Sequence, residues 1–140
     1  MWQKFLNLFK RKKVTIESLT ANCNGNLASL SFDIGKAVVY VKDKRFMSVQ
    51  ETLDRGVGDC DEFARIWLAC LSDKRLGYKP HMYICFNKSG NHAIVIFKKA
   101  GYWCYTSNDE YYKTSILSSD DNKDELLLFA YPAERYEIVI

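Results

Sequence analysis

The sequence predicts an α+β fold, a helical N-terminal half packed on an antiparallel β-meander. Three observations carry that expectation. Apolar residues recur at helical spacing in two early stretches, Leu27 to Val41 and Phe63 to Leu71. After Pro80 the period changes to two, and short polar loops containing glycine separate the later runs. Helices first and strands second is the order of an α+β chain, not of an alternating one.

The length of 140 residues suits one domain. The division expected is a basic amphipathic segment, residues 1–13, ahead of a single α+β domain, residues 14–140. A chain 48% hydrophobic and 26% charged is composed to fold, which excludes extended disorder. The net charge of +3 is unevenly placed. Five of the 20 bases and none of the 17 acids fall in residues 1–13, leaving 15 bases against 17 acids in the remainder. The domain is therefore not basic, and nucleic acid is not expected as a partner.

No apolar run approaches the ~18 residues of a membrane-spanning helix. In residues 1–13 the bases follow Trp2, Phe5, Leu6 and Phe9, whereas a secretory signal places them first. Cys23, Cys60, Cys70, Cys85 and Cys104 are odd in number and contain no CxxC pair. Together these predict a cytoplasmic, reducing setting without a disulfide scaffold. With His81 and His92 the only histidines, neither a metal site nor a cofactor is expected. Residues 1–13 have two readings: a short helix docked on the domain with a solvated charge run, or a peripheral contact with an anionic membrane or an acidic partner.

In chain order, the Ser-, Asn- and Gly-rich residues 18–26 read as a loop. Leu27 to Lys42 reads as a helix on length, although residues 37–41 would also suit a buried strand. Gly56-Val57-Gly58 is a hinge-like loop. Asp59, with Glu62 three residues on, is a capping box that starts a helix at Cys60. Phe63, Ala64, Trp67 and Leu71 share the stripe of Cys60, and the helix should end near Lys74 to Gly77, where Lys74 and Arg75 suit its dipole. His81–Phe86, His92–Lys98 and Tyr102–Thr106 read as strands. Ser118 or Ser119 caps a short helix through Leu128, Pro132 stops it, and Tyr136–Ile140 is a last strand.

The chemistry rests on Cys60. A nucleophilic thiol needs a base or cation beside it and donors for the oxyanion, and a helix N-terminus supplies free N–H groups. Asp59, Asp61 and Glu62 crowd the same turn, and the helix dipole, about 0.3–1 kcal/mol at an exposed end, does no more than cancel them. An imidazolium must supply most of the activation. His92 is the candidate. If Lys99-Ala100-Gly101 is a three-residue hairpin loop, Lys98 pairs with Tyr102 and His92 lies opposite Asn108, which would orient its imidazole. A two-residue loop would nominate Asp109 instead.

The segment Glu51-Thr52-Leu53, then Gly56-Val57-Gly58-Asp59-Cys60-Asp61-Glu62-Phe63-Ala64, resembles the nucleophile segment of transglutaminase-like cysteine peptidases. Gly77-Tyr78, Asn91-His92-Ala93, and Trp103 leading to Asn108-Asp109 follow in that family's order, so the likeness spans roughly residues 30–110. Small bacterial and bacteriophage-encoded members have this size. The resemblance implies a papain-like thiol fold with Cys60 as nucleophile, His92 as base, and Asn108 or Asp109 as orienter. By analogy with papain-like enzymes, Gln50 becomes a candidate oxyanion donor. The chain departs from the family in one respect: the orienter is more often an Asp four residues after the tryptophan, where this chain has Ser107. The calcium sites of large transglutaminases fall outside so short a core, so no metal is implied.

The expected function is thiol-dependent acyl transfer on a protein or peptide amide, by hydrolysis or by transfer to an amine. The rival is a catalytically silent member of the same fold acting as a binding or adaptor module. Each residue also has a plainer role: Cys60 as a small core residue under Trp67, and His92 and His81 as structural histidines. The other four cysteines read as core or loop thiols, and Tyr102, Trp103, Tyr105, Tyr111 and Tyr112 as sheet packing.

Overall fold

A computed structural model describes residues 13–42 and 45–140. The readings of segment 1–13 therefore fall, Lys13 apart, outside the described residues. Among the described residues, five α-helices and a five-stranded antiparallel sheet make the fold α+β as expected.

Thr15 and Ser18 form a reciprocal capping box that starts α1, Ile16–Asn22. This corrects the loop expected over 18–26: the loop is confined to the turn after α1, where Asn24 (φ 50°) and Gly25 (φ 78°) take left-handed backbone. Serine and asparagine there serve as caps, a role that composition alone does not separate from a loop. Asn26 caps α2, Leu27–Ala37, which buries Leu27, Leu30 and Ile34. The helix ends at Ala37, where the β-branched Val38 and Val39 turn the chain into β1, Val39–Tyr40. Ser48 caps α3, Val49–Arg55, and Gly56 closes it at φ 71°. What read as a hinge is thus a helix cap followed by β2, Val57–Gly58, which pairs in parallel with β1.

Helix α4, Cys60–Ser72, ends before the expected Lys74–Gly77 boundary. Asp73 turns extended and its carboxylate accepts the Arg75 N–H, so Lys74 and Arg75 lie in a turn beyond the helix. The strands then follow: β3 His81–Asn87, β4 Gly90–Lys99, β5 Tyr102–Ser107, β6 Glu110–Leu117 and, after a 3-10 turn at Asp120–Asn122 and α5 Lys123–Ala130, β7 Arg135–Ile138. Their order is β6-β5-β4-β3-β7. Strand β6 was not anticipated. It is an edge strand with polar side chains interleaved, its adjacent Tyr111 and Tyr112 blur the period of two, and a bulge interrupts its pairing between Tyr102 and Cys104. Ser119 is the residue that caps the turn into α5.

Both faces of the sheet are covered. On one, Phe63, Trp67, Cys70 and Leu71 of α4 pack on Met82, Ala93, Val95 and Phe97. On the other, Leu126 and Leu127 of α5 cover Tyr83, Cys85, Ile94 and Ile96. Burying each such side chain stabilises the fold by about 1.5–3 kcal/mol. The aromatic residues pack as expected, Tyr105 stacking on Tyr112 at 4.8 Å between centroids. No helix among the described residues is long and apolar enough to cross a membrane.

Candidate active site

Cys60 is the first residue of α4, and the capping box predicted around it forms in full. The Asp59 carboxylate accepts the N–H groups of Asp61 and Glu62 at 3.0 and 3.4 Å, and Glu62 returns a bond from the Asp59 N–H at 3.3 Å. The segment leading in is held by the β1–β2 pair, with Tyr40 opposite Gly58. A side chain at 58 would bring its Cβ 2.9 Å from Thr52 Cγ2 and 3.0 Å from Glu62 Cβ, so the close approach of α3 to α4 requires glycine there.

The start of β4 meets the half-buried thiol. The backbone N–H groups of Ala93, the residue after His92, and of Asp61 lie near enough to the Cys60 sulfur to favour its ionised form. Cys85, which lies opposite His92 across the β3–β4 ladder, is close enough to feel the charge of Cys60.

The β4–β5 register differs from the one expected. Lys99 pairs with Tyr102, not Lys98, so the loop has two residues, Ala100 (φ 52°) and Gly101 (φ 87°). Two successive left-handed residues make the tight turn that matches the twist of a hairpin, and Ala100 adopts it despite its Cβ. Asn108 is therefore not opposite His92. The ladder ends at Ile94–Ser107, and the His92 ring, on the same face two residues earlier, reaches diagonally to Ser107. His92 Nε2 lies 2.8 Å from Ser107 Oγ, and Tyr131 packs on the imidazole with centroids 4.6 Å apart.

Asn108 and Asp109, the two nominated orienters, form the β5–β6 turn. The Asn108 carbonyl accepts the Trp67 indole N–H at 2.9 Å and the Asp109 carbonyl accepts the Ser31 hydroxyl at 2.6 Å. The buried Asn108 Oδ1 has no hydrogen-bond partner among the described residues. The hydrogen bond to the imidazole comes from neither; it is made by Ser107. Gln50 is also displaced from its nominated role. Its side-chain N–H2 donates to the Val14 carbonyl, which ties α3 to the chain ahead of α1, and to Asp54 Oδ1 one turn on in α3, both at 2.9 Å. The Cys60 amide, in the first turn of α4 and outside the Asp59 cap, is the better-placed oxyanion donor.

Electrostatics modifies the expected activation. Burial pushes the Cys60 thiol above its usual range; the Ala93 and Asp61 amides pull it down, while Asp59 and Asp61 add to the rise. Burial lowers His92. The resting pair is thus a protonated thiol and a neutral imidazole, not an imidazolium-stabilised thiolate.

Two residues beside Cys60, Glu62 and Tyr40, have surroundings that the sequence did not disclose. Glu62 is 3% exposed, and burial, followed by the nearby Asp59, raises its carboxyl to about 7. Half-exposed Tyr40 stacks on Phe63 at 6.5 Å, and its phenol feels Cys60 and Asp59. The Asp59/Glu62 spacing was a signal for the first; nothing local announces the second. Three surface concavities, of about 600, 430 and 360 Å³, are lined by other residues than Cys60 and His92. No cluster of three metal-ligating side chains occurs among the described residues. No protein-family model matches the chain, and no curated protein is similar to it in sequence.

Proposed function

We propose that this chain is a cysteine-dependent acyl-transfer enzyme with a transglutaminase-like, papain-like core, acting on protein or peptide amides in a reducing, cytoplasmic setting. The observation that carries the reading is the meeting of α4 and β4. A thiol at a helix start lies beside the backbone N–H of the residue after His92, while His92 is itself held by Ser107.

In this scheme the Cys60 sulfur attacks the amide carbonyl as its proton passes to His92. The Cys60 amide N–H donates a hydrogen bond to the developing oxyanion. His92 then protonates the leaving amine, the C–N bond breaks and a thioester remains. Water or an amine, deprotonated by His92, releases the acyl group and restores the thiol. Proteolysis, amide hydrolysis, deamidation and amine transfer share these steps and differ in the acceptor.

The test is turnover on a panel of amide and peptide substrates, with Cys60→Ala as the blank. Acyl transfer lost in that variant supports the reading; equal rates in the two chains overturn it.

A second reading, a catalytically silent binding module, is favoured by the upward shift of the thiol, the downward shift of the imidazole and a hydroxyl at the orienting position. It requires that no amide be turned over while a protein partner binds Cys60→Ala as well as the parent chain. Contact of residues 1–13 with an anionic membrane belongs to either reading. Liposome pelleting of the chain with and without those residues tests it, and equal pelleting removes it.

A further inference from the structure

At the opposite end of the β4 strand lies a cavity of about 430 Å³ whose charge does not follow from composition. Lys98 is six residues beyond His92, so the cavity is about 20 Å along the strand from the candidate active site. The register puts His81, Lys98 and Trp103 on one face of three neighbouring strands, Lys98 directly opposite Trp103. Lys79, from the loop after α4, and Lys123, from the start of α5, complete the lining. Three lysines and a histidine thus face one acid, Asp120, in a domain where acids outnumber bases. The adjacent Asp121 and Asp124 do not line the cavity.

The cations converge on a point that Asp120 marks. Its carboxylate is 3.0 Å from Lys98 Nζ. Lys98 holds that carboxyl below its ordinary range, and Lys123 and His81 add to the effect, so all three act on one place. The Asp120 side chain is 76% exposed, and an exposed pair of this kind contributes little to stability. A dianion able to meet several of these cations at once would displace it.

Tyr78 and the buried Trp103 supply the apolar part of the wall. The indole N–H is already given to the Ser119 carbonyl and Lys98 Nζ lies 5.2 Å from the ring centroid, so the buried ring backs the wall beneath that lysine and offers no donor. The volume falls in the range of small-molecule sites, larger than an inorganic anion needs.

We propose that this cavity binds a small organic phosphate, with the phosphoryl group among Lys79, Lys98, Lys123 and His81 and the organic part against Tyr78 and Trp103. The site is independent of the acyl-transfer reading and of Cys60.

The experiment uses the full chain and adenosine 5′-monophosphate as probe, with adenosine as the neutral control, at constant ionic strength. Amide and indole NMR shifts and calorimetry report binding. Saturable binding is expected, with shifts centred on His81, Lys98, the Trp103 indole and Lys123. Lys98→Gln and Lys123→Gln, each removing a charge-assisted contact, should weaken it by about tenfold or more. Asp120→Asn, which removes the competing carboxylate, should tighten it. Shifts spread over the surface, equal binding of adenosine, or affinities unchanged in both lysine variants would overturn the proposal. Cys60→Ala should bind the probe as the parent does, so failure here leaves the catalytic reading untouched and the reverse also holds.

Discussion

The His92 imidazole is held by Ser107, at 2.8 Å from Nε2 to the hydroxyl, across a diagonal of the β4–β5 ladder. Nε2 being engaged, the proposed scheme leaves Nδ1 to exchange the proton with Cys60. A hydroxyl orients the ring but carries no charge to stabilise an imidazolium, in keeping with the downward shift of His92.

Ser107→Ala should therefore lower kcat/KM by about tenfold, the worth of one hydrogen bond, with the loss mainly in kcat. Ser107→Asp should raise the His92 pKa, moving the acid limb of the pH–rate profile upward. An unchanged profile in both variants would show that the contact does not orient the base.

His92→Ala should lower turnover by roughly 100- to 10,000-fold, the usual contribution of a general base. The parent's alkylation by iodoacetamide should climb steadily with pH through the usual thiol range, because burial keeps the thiol protonated. A rate plateau extending well below neutrality would instead reveal a preformed ion pair. Preference for Cys60 over the other cysteines has no bearing on this, since the other four are buried.

Glu62 makes the fold sensitive to pH. Its folded-state carboxyl titrates near 7 against an ordinary 4.5, so between those values the folded chain holds a proton that the unfolded chain has released. Stability should fall as pH rises from about 4.5 to about 7 and level off above. Glu62→Gln keeps an acceptor for the Asp59 N–H and should remove that slope, gaining on the order of 2 kcal/mol at the alkaline end. Urea titrations at several pH values measure this, and parallel pH dependences in the two chains would contradict it.

Gly58→Ala should destabilise the fold by about 1–3 kcal/mol, because the new methyl meets Thr52 and Glu62 at 2.9 and 3.0 Å where two helices converge. The midpoint of denaturant unfolding reads the change. A neutral substitution would mean that α3 and α4 separate easily at the point that positions Cys60.

Local signals were strongest where a short stretch of chain controls its own hydrogen bonds. Asp59 and Glu62 announced the capping box, the stripe through Trp67 announced the buried face of α4, and the period of two announced β3 to β5. Signals failed where two structures satisfy the same local chemistry. Ser18 and Asn22 suit a loop or a helix end equally, and Val38 to Val41 serve a helix or a strand until a partner appears.

From the sequence alone came the α+β class, the start of the nucleophile helix and the pairing of Cys60 with His92 as candidates. Which residue holds His92 was decided by tertiary structure. One residue of difference in the 99–102 turn shifts the whole β4–β5 ladder and takes Asn108 off the face of His92, while the β5–β6 turn takes Asp109 out of the ladder, so Ser107 is the residue left on that face. Gln50 moved away for a related reason: besides Asp54 on its own helix, its amide found the Val14 carbonyl, a partner present only once α3 has packed. The protonation of the thiol was likewise beyond the sequence, because burial, the largest influence on Cys60, is a property of the surrounding sheet and helices and not of the turn that contains it.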